Sequence, residues 1–76
     1  MKVFTVAYTS YFDGKIKIIP NVIAVNQTHA YLKALNWQDE DYDDILCHWS
    51  PKEFEDYMFE ENDIAISAIQ TYSSNF

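Results

Sequence analysis

The chain has 76 residues, 49% of them apolar and 17% aromatic, a net charge of −7 and a single cysteine, Cys47. That is apolar material for one small core, which argues against disorder, while a lone cysteine excludes an intrachain disulfide and a four-cysteine zinc site. There is no arginine, the preferred partner of phosphate, so direct nucleic-acid binding and anionic membranes are disfavoured.

Residues 2–12, KVFTVAYTSYF, alternate β-branched and aromatic residues with polar ones. Phe4, Val6 and Tyr8 fall on one face of the predicted strand, with Val3, Thr5, Ala7 and Thr9 on the other. Asp13-Gly14 is a hairpin signal, because Gly14 tolerates positive φ, and residues 15–25, KIKIIPNVIAV, form the return strand. Pro20 cannot donate to a ladder and therefore marks an edge strand or a bulge. No basic leader precedes a long apolar run, so the N-terminus does not read as a signal peptide. No window approaches the roughly 18 apolar residues of a membrane span. Without disulfides, so small a chain is expected in a reducing compartment, the cytoplasm.

Asn26 is a good N-cap for a helix over residues 27–36, with Ala30, Tyr31, Ala34 and Leu35 facing inward. The next stretch, QDEDYDDIL at residues 38–46, packs five carboxylates into six positions. A helix started near Asp39 places Tyr42, Ile45, Leu46 and Trp49 on one face, with the acids on a solvated face opposite and at its flanks. A third helix begins at Ser50-Pro51-Lys52-Glu53: Ser50 caps, Pro51 takes the first helical position, and Glu53 completes a capping box. Phe54 and Met58 face the core, with Tyr57 beside them, while Glu53, Asp56 and Glu60 line the opposite side. Asn62 can end the helix, and residues 64–72, IAISAIQTY, form the last strand.

The expected architecture is one α+β domain over residues 1–76, in the order ββαααβ. A three-stranded, mainly antiparallel sheet carries two to three short helices on one face. The strand order 2-1-3 is expected, because the first strand is apolar on both faces.

Catalytic and metal chemistry find no support in the residues. Asp39-x-Asp41-x-Asp43 imitates the start of a calcium loop, but glycine is missing at its sixth position, Asp44, and glutamate at its twelfth, Ser50. Cys47 and His48 are adjacent and diverge on a helix. No base frames a serine, the single glycine provides no phosphate cradle, and the carboxylates share one polar environment instead of two unlike ones. No catalytic, metal or cofactor residue is therefore assigned, and the chain is not expected to be an enzyme.

Charge is the informative feature. Residues 1–38 carry four lysines against Asp13, whereas residues 39–63 carry eleven acids against Lys52 alone, a net of −10. Glu60 and Glu61 fall in the last turn of their helix, where the dipole disfavours negative charge, so stability alone does not explain them. Residues 39–63 laid out as helix span about 38 Å. At that length the carboxylates average one per about 3.4 Å, near the charge spacing along a nucleic-acid strand, although Ser50-Pro51 breaks the run and folds it back. Phe59 falls away from the core face, and aromatics beside a charged rim have the composition of interaction hot spots. The expected partner-binding residues are Asp39, Glu40, Asp41, Asp43, Asp44, Glu53, Asp56, Phe59 and Glu60.

Small size, strong acidity, aromatics among the acids in QDEDYDDILCHW and SPKEFEDYMFEEND, and the lack of disulfides or motifs resemble phage-encoded inhibitors of host defence. Anti-CRISPR proteins and DNA mimics belong to that class. The resemblance is one of composition, and it implies stoichiometric blocking of a basic nucleic-acid-binding protein such as a CRISPR effector or nuclease. The same composition fits an antitoxin or immunity protein covering a basic nuclease toxin. A small acidic scaffold protein is the third reading.

Overall fold

In a computed structural model, which describes residues 1–71, the elements are β1 (Lys2–Ser10), β2 (Ile16–Ala24), α1 (Gln27–Ala34), α2 (Tyr42–His48), α3 (Pro51–Asn62) and β3 (Ile64–Thr71). The strands form one antiparallel sheet in the order β2-β1-β3. The fold is α+β, in the order ββαααβ expected from the sequence. Tyr72, expected in the last strand, lies outside the described residues.

β1 takes the centre because both of its faces are apolar. Phe4 and Val6 are buried, together with Val22 and Ala24 of β2 and Ile66 of β3, against the helices. Pro20 marks both an edge and a bulge. Pairing passes from Phe4↔Val22 to Val6↔Ile19, so Pro20 and Asn21 together stand against Thr5, and Asn21 takes the extra bend at φ 59°. The hairpin turn is longer than the two residues expected from Asp13-Gly14. The ladder's last pair is Thr9↔Ile16; the Gly14 amide donates to the Ser10 carbonyl at 2.8 Å; and Gly14 has φ 66°. The Asp13 carboxylate accepts from the Lys15 amide at 3.0 Å instead of tightening a two-residue turn.

α1 begins as expected, the Asn26 side chain accepting from the His29 amide at 2.8 Å. It ends two residues earlier than expected. Asn36 is left-handed at φ 54°; its amide donates to Lys33 and that of Trp37 to Leu32, at 3.1 and 2.9 Å, the paired bonds that close a helix C-terminus. Its buried arc is wider than expected: Thr28 and Leu32 join Ala30 and Tyr31, while Ala34 and Leu35 are half-buried. The cause is its position, in contact with all three strands and both other helices.

α3 carries the predicted capping box, with both reciprocal bonds present: Glu53 amide to Ser50 Oγ at 3.2 Å and Ser50 amide to Glu53 Oε1 at 3.0 Å. It buries Phe54 and Met58 and stops at left-handed Asp63, φ 55°. Phe54 is the aromatic hub: Tyr31 stacks on it at 5.7 Å, and Trp37 and Trp49 meet it edge-on at 5.6 and 6.4 Å.

Candidate acidic interface

The eleven acids of residues 39–63 do not form one helical face. α2 starts at Tyr42, so Asp39, Glu40 and Asp41 belong to the turn before it, which the Tyr42 amide closes onto the Asp39 carbonyl at 3.1 Å. The reason is Asp41, whose Oδ1 accepts from the Trp37 indole Nε1 at 2.9 Å. That bond ties the turn to the end of α1 and leaves the helix without a side-chain cap. Ile45 is buried and Tyr42, Leu46 and Trp49 are half-buried, as the inward face was expected to be. Asp43 and Asp44 sit in the first turn, where the helix dipole favours them.

Structural partners further divide the acids. Glu55 points inward: the buried Tyr31 hydroxyl donates to its carboxylate, and Gln27 Nε2 donates to the same oxygen at 3.4 Å. Burial, and then this carboxylate, hold the Tyr31 phenol well above its ordinary pKa. Glu53 is occupied by its cap, whose bonds to Ser50 hold its carboxyl below the usual range. Asp56 pairs with Lys52 at 3.3 Å, with both side chains mostly exposed, a pairing of little energetic weight. Among the described residues, the carboxylates of Asp39, Glu40, Asp43, Asp44, Glu60 and Glu61 make no side-chain hydrogen bond or ion pair.

On α3 the acids meet aromatic rings. Trp49 and Tyr57 pack edge to face at 5.3 Å and 88°, and with Glu53, Asp56, Glu60 and Glu61 they line a shallow open depression of about 320 Å³. Trp49 is held from below, where the buried Thr28 hydroxyl donates to its carbonyl at 3.1 Å and its ring rests on Phe54. Phe59, half exposed as expected, is steadied by Tyr11 in the hairpin loop at 5.8 Å and 82°. The outward-facing set was only partly legible from the sequence. Trp49, Tyr57 and Glu61 were not assigned to binding, although Glu53, Tyr57 and Glu61 recur at four-residue steps and thus share one stripe of the helix.

This arrangement can hold a cation. An aromatic floor attracts an ammonium or guanidinium group through the ring faces, and the surrounding carboxylates add charge-assisted hydrogen bonds. Cys47 and His48 are exposed on α2, and among the described residues no three of His, Cys, Asp and Glu lie close enough together to hold a metal ion. No described helix is long and apolar enough to cross a membrane. No family model, no curated protein and no solved structure matches the chain.

Proposed function

We propose that the protein is a non-enzymatic, stoichiometric inhibitor that covers the basic, nucleic-acid-binding surface of another protein. A phage anti-defence role of the anti-CRISPR or DNA-mimic type, acting in the host cytoplasm, accounts best for its composition. The depression on α3 carries the reading: four carboxylates around Trp49 and Tyr57 form a receptor for the lysine or arginine side chains that line such surfaces. Asp39 and Glu40 in the turn before α2 and Asp43 and Asp44 in its first turn add a second cluster away from α3, better suited to steering a basic partner than to gripping it. Phe59 supplies apolar contact beside the α3 rim.

Immobilised protein is used to capture partners from host lysate, and association is then timed at low and high salt. A nucleic-acid-binding protein should be recovered, associating more slowly as salt rises, because exposed charge is screened over about 8 Å at physiological ionic strength. Replacing Asp56, Glu60 and Glu61 together with Asn, Gln and Gln spares the Glu53 cap, and should slow association about tenfold or more. A salt-independent rate, or full binding by the triple variant, would overturn the proposal.

A further inference from the structure

We propose that the face of the sheet opposite the helices, uncovered among the described residues, is the contact surface for a second copy of this chain, the two sheets stacking face to face about a two-fold axis. All three helices lie on one side. On the other side β1 presents Val3, Thr5, Ala7 and Thr9, and the register sets Ile16, Ile18 and Ile23 of β2 and Ala65, Ser67 and Ile69 of β3 beside them. Ile16, Ile18, Ile23 and Ile69 are 71%, 65%, 52% and 69% exposed. Threonine would meet the strand preference at such positions without exposing aliphatic surface, so four isoleucines facing water mark a covered face.

The absence of charge on this surface selects the occupant. A chain with a net charge of −7 repels its own copies wherever acids face each other. Every acid of residues 39–63 lies on the helix layer or at its ends, and the sheet residues just named include none. Stacked sheets sit about 10 Å apart with the helix layers on the outside, so the acids of the two copies are separated by more than the roughly 8 Å screening length.

The relief of the face is also self-complementary. Between β1 and β3 lies a hollow of about 250 Å³ lined by Ala7 to Thr9 and Ala65 to Ser67, with Ile16 as one wall. An isologous contact brings the isoleucine ridge of each copy over the hollow of the other. Strands about 4.8 Å apart and eight residues long give roughly 400 Å² of flat face per copy. With the isoleucine relief added, the pair reaches the about 1,000 Å² at which specific interfaces begin. An area at this threshold fits a weak, reversible dimer. It would carry its two acidic surfaces outward, so that a partner with two basic sites could be held bivalently.

Sedimentation equilibrium on the full chain alone, from about 1 µM to about 500 µM, tests this without any partner. A monomer–dimer equilibrium is expected, unchanged or tightened by salt, in contrast to the salt-weakened complex described above. Ile18→Lys should give a monomer throughout. Ile18→Thr and Ile69→Thr preserve the strand preference, and each should weaken the dimer about tenfold or more, with circular dichroism confirming the fold. The Asp56, Glu60 and Glu61 triple variant should dimerise as the parent does. A parent that stays monomeric across the whole range would overturn the proposal. So would a dimer indifferent to both threonine variants, or one lost in the acid triple variant.

Discussion

α2 and α3 are both acidic helices, yet they are held by different means. α3 is specified locally, by Ser50, Pro51, Glu53 and the Phe54–Met58 pair, all within nine residues. α2 has seven residues and no side-chain cap, and it exists because Ile45 is buried and because Asp41 is drawn to Trp37. In isolation so short a helix would not form. The difference sorts the carboxylates: where local structure is self-sufficient, as beyond the first turn of α3, acids such as Glu60 and Glu61 have no structural employment and are available to a partner. In the α2 stretch, Asp41 is bound into the fold, and the acids around it are the weaker claim to an interface.

Phe54→Ala should erase the contrast. The ring belongs to α3 but is the platform for Trp37, which anchors α2 through Asp41, and for Trp49 at the junction. A loss of about 3–5 kcal/mol is expected, read by denaturant titration. Both helices should lose protection together in hydrogen exchange. Selective loss in α3 alone would show that α2 is independently held.

Single-cap variants should sharpen it. Ser50→Ala removes the acceptor for the Glu53 amide and should cost about 1–2 kcal/mol. Asp41→Ala leaves the Trp37 indole to water and should cost about 0.5–1.5 kcal/mol. In hydrogen exchange, Asp41→Ala should expose the α2 amides while α3 stays protected, and Ser50→Ala should fray the start of α3. Equal loss of α3 protection in both variants would contradict the separation of the two helices.

The same distinction explains what the sequence revealed. Features encoded by near neighbours were legible: the Ser50–Glu53 box, the Asn26 cap, the Pro20 bulge, and the strand order that follows from β1 being apolar on both faces. Features made by one particular side-chain pair, with no capping or turn motif to announce it, were not. The Trp37–Asp41 bond moved the start of α2 from Asp39 to Tyr42, and the inward turn of Glu55 depends on Tyr31, 24 residues away. The bare sheet face was not legible either, because which side the helices would cover is a property of the assembled layers.

Acidification offers the gentlest test of the comparison, because His29 of α1 packs its ring against Tyr42 of α2. Its Nδ1 accepts from the Val25 amide at 3.0 Å, and its ring meets Tyr42 edge-on at 6.5 Å. Burial, then the nearby Lys33 charge, lower its pKa below the ordinary 6.5. The unfolded chain therefore binds the proton more readily than the folded one. The stabilisation associated with neutral His29 is fully present above about pH 6.5 and declines as the pH falls below it. It is lost once the pH reaches the lowered folded value. Protonation also removes the acceptor for Val25, so α1's start and its contact with Tyr42 should loosen first. His29→Asn keeps an acceptor near the same place and does not titrate, so its thermal midpoint should lose this component of acid sensitivity. What acid sensitivity remains at lower pH then belongs to groups such as Glu53, whose lowered carboxyl pKa means that its contribution is lost only as the pH falls through that folded value. Thermal melts of parent and variant between about pH 7.5 and pH 5.5 decide the point. Identical acid responses would show that His29 carries no part of the coupling between α1 and α2.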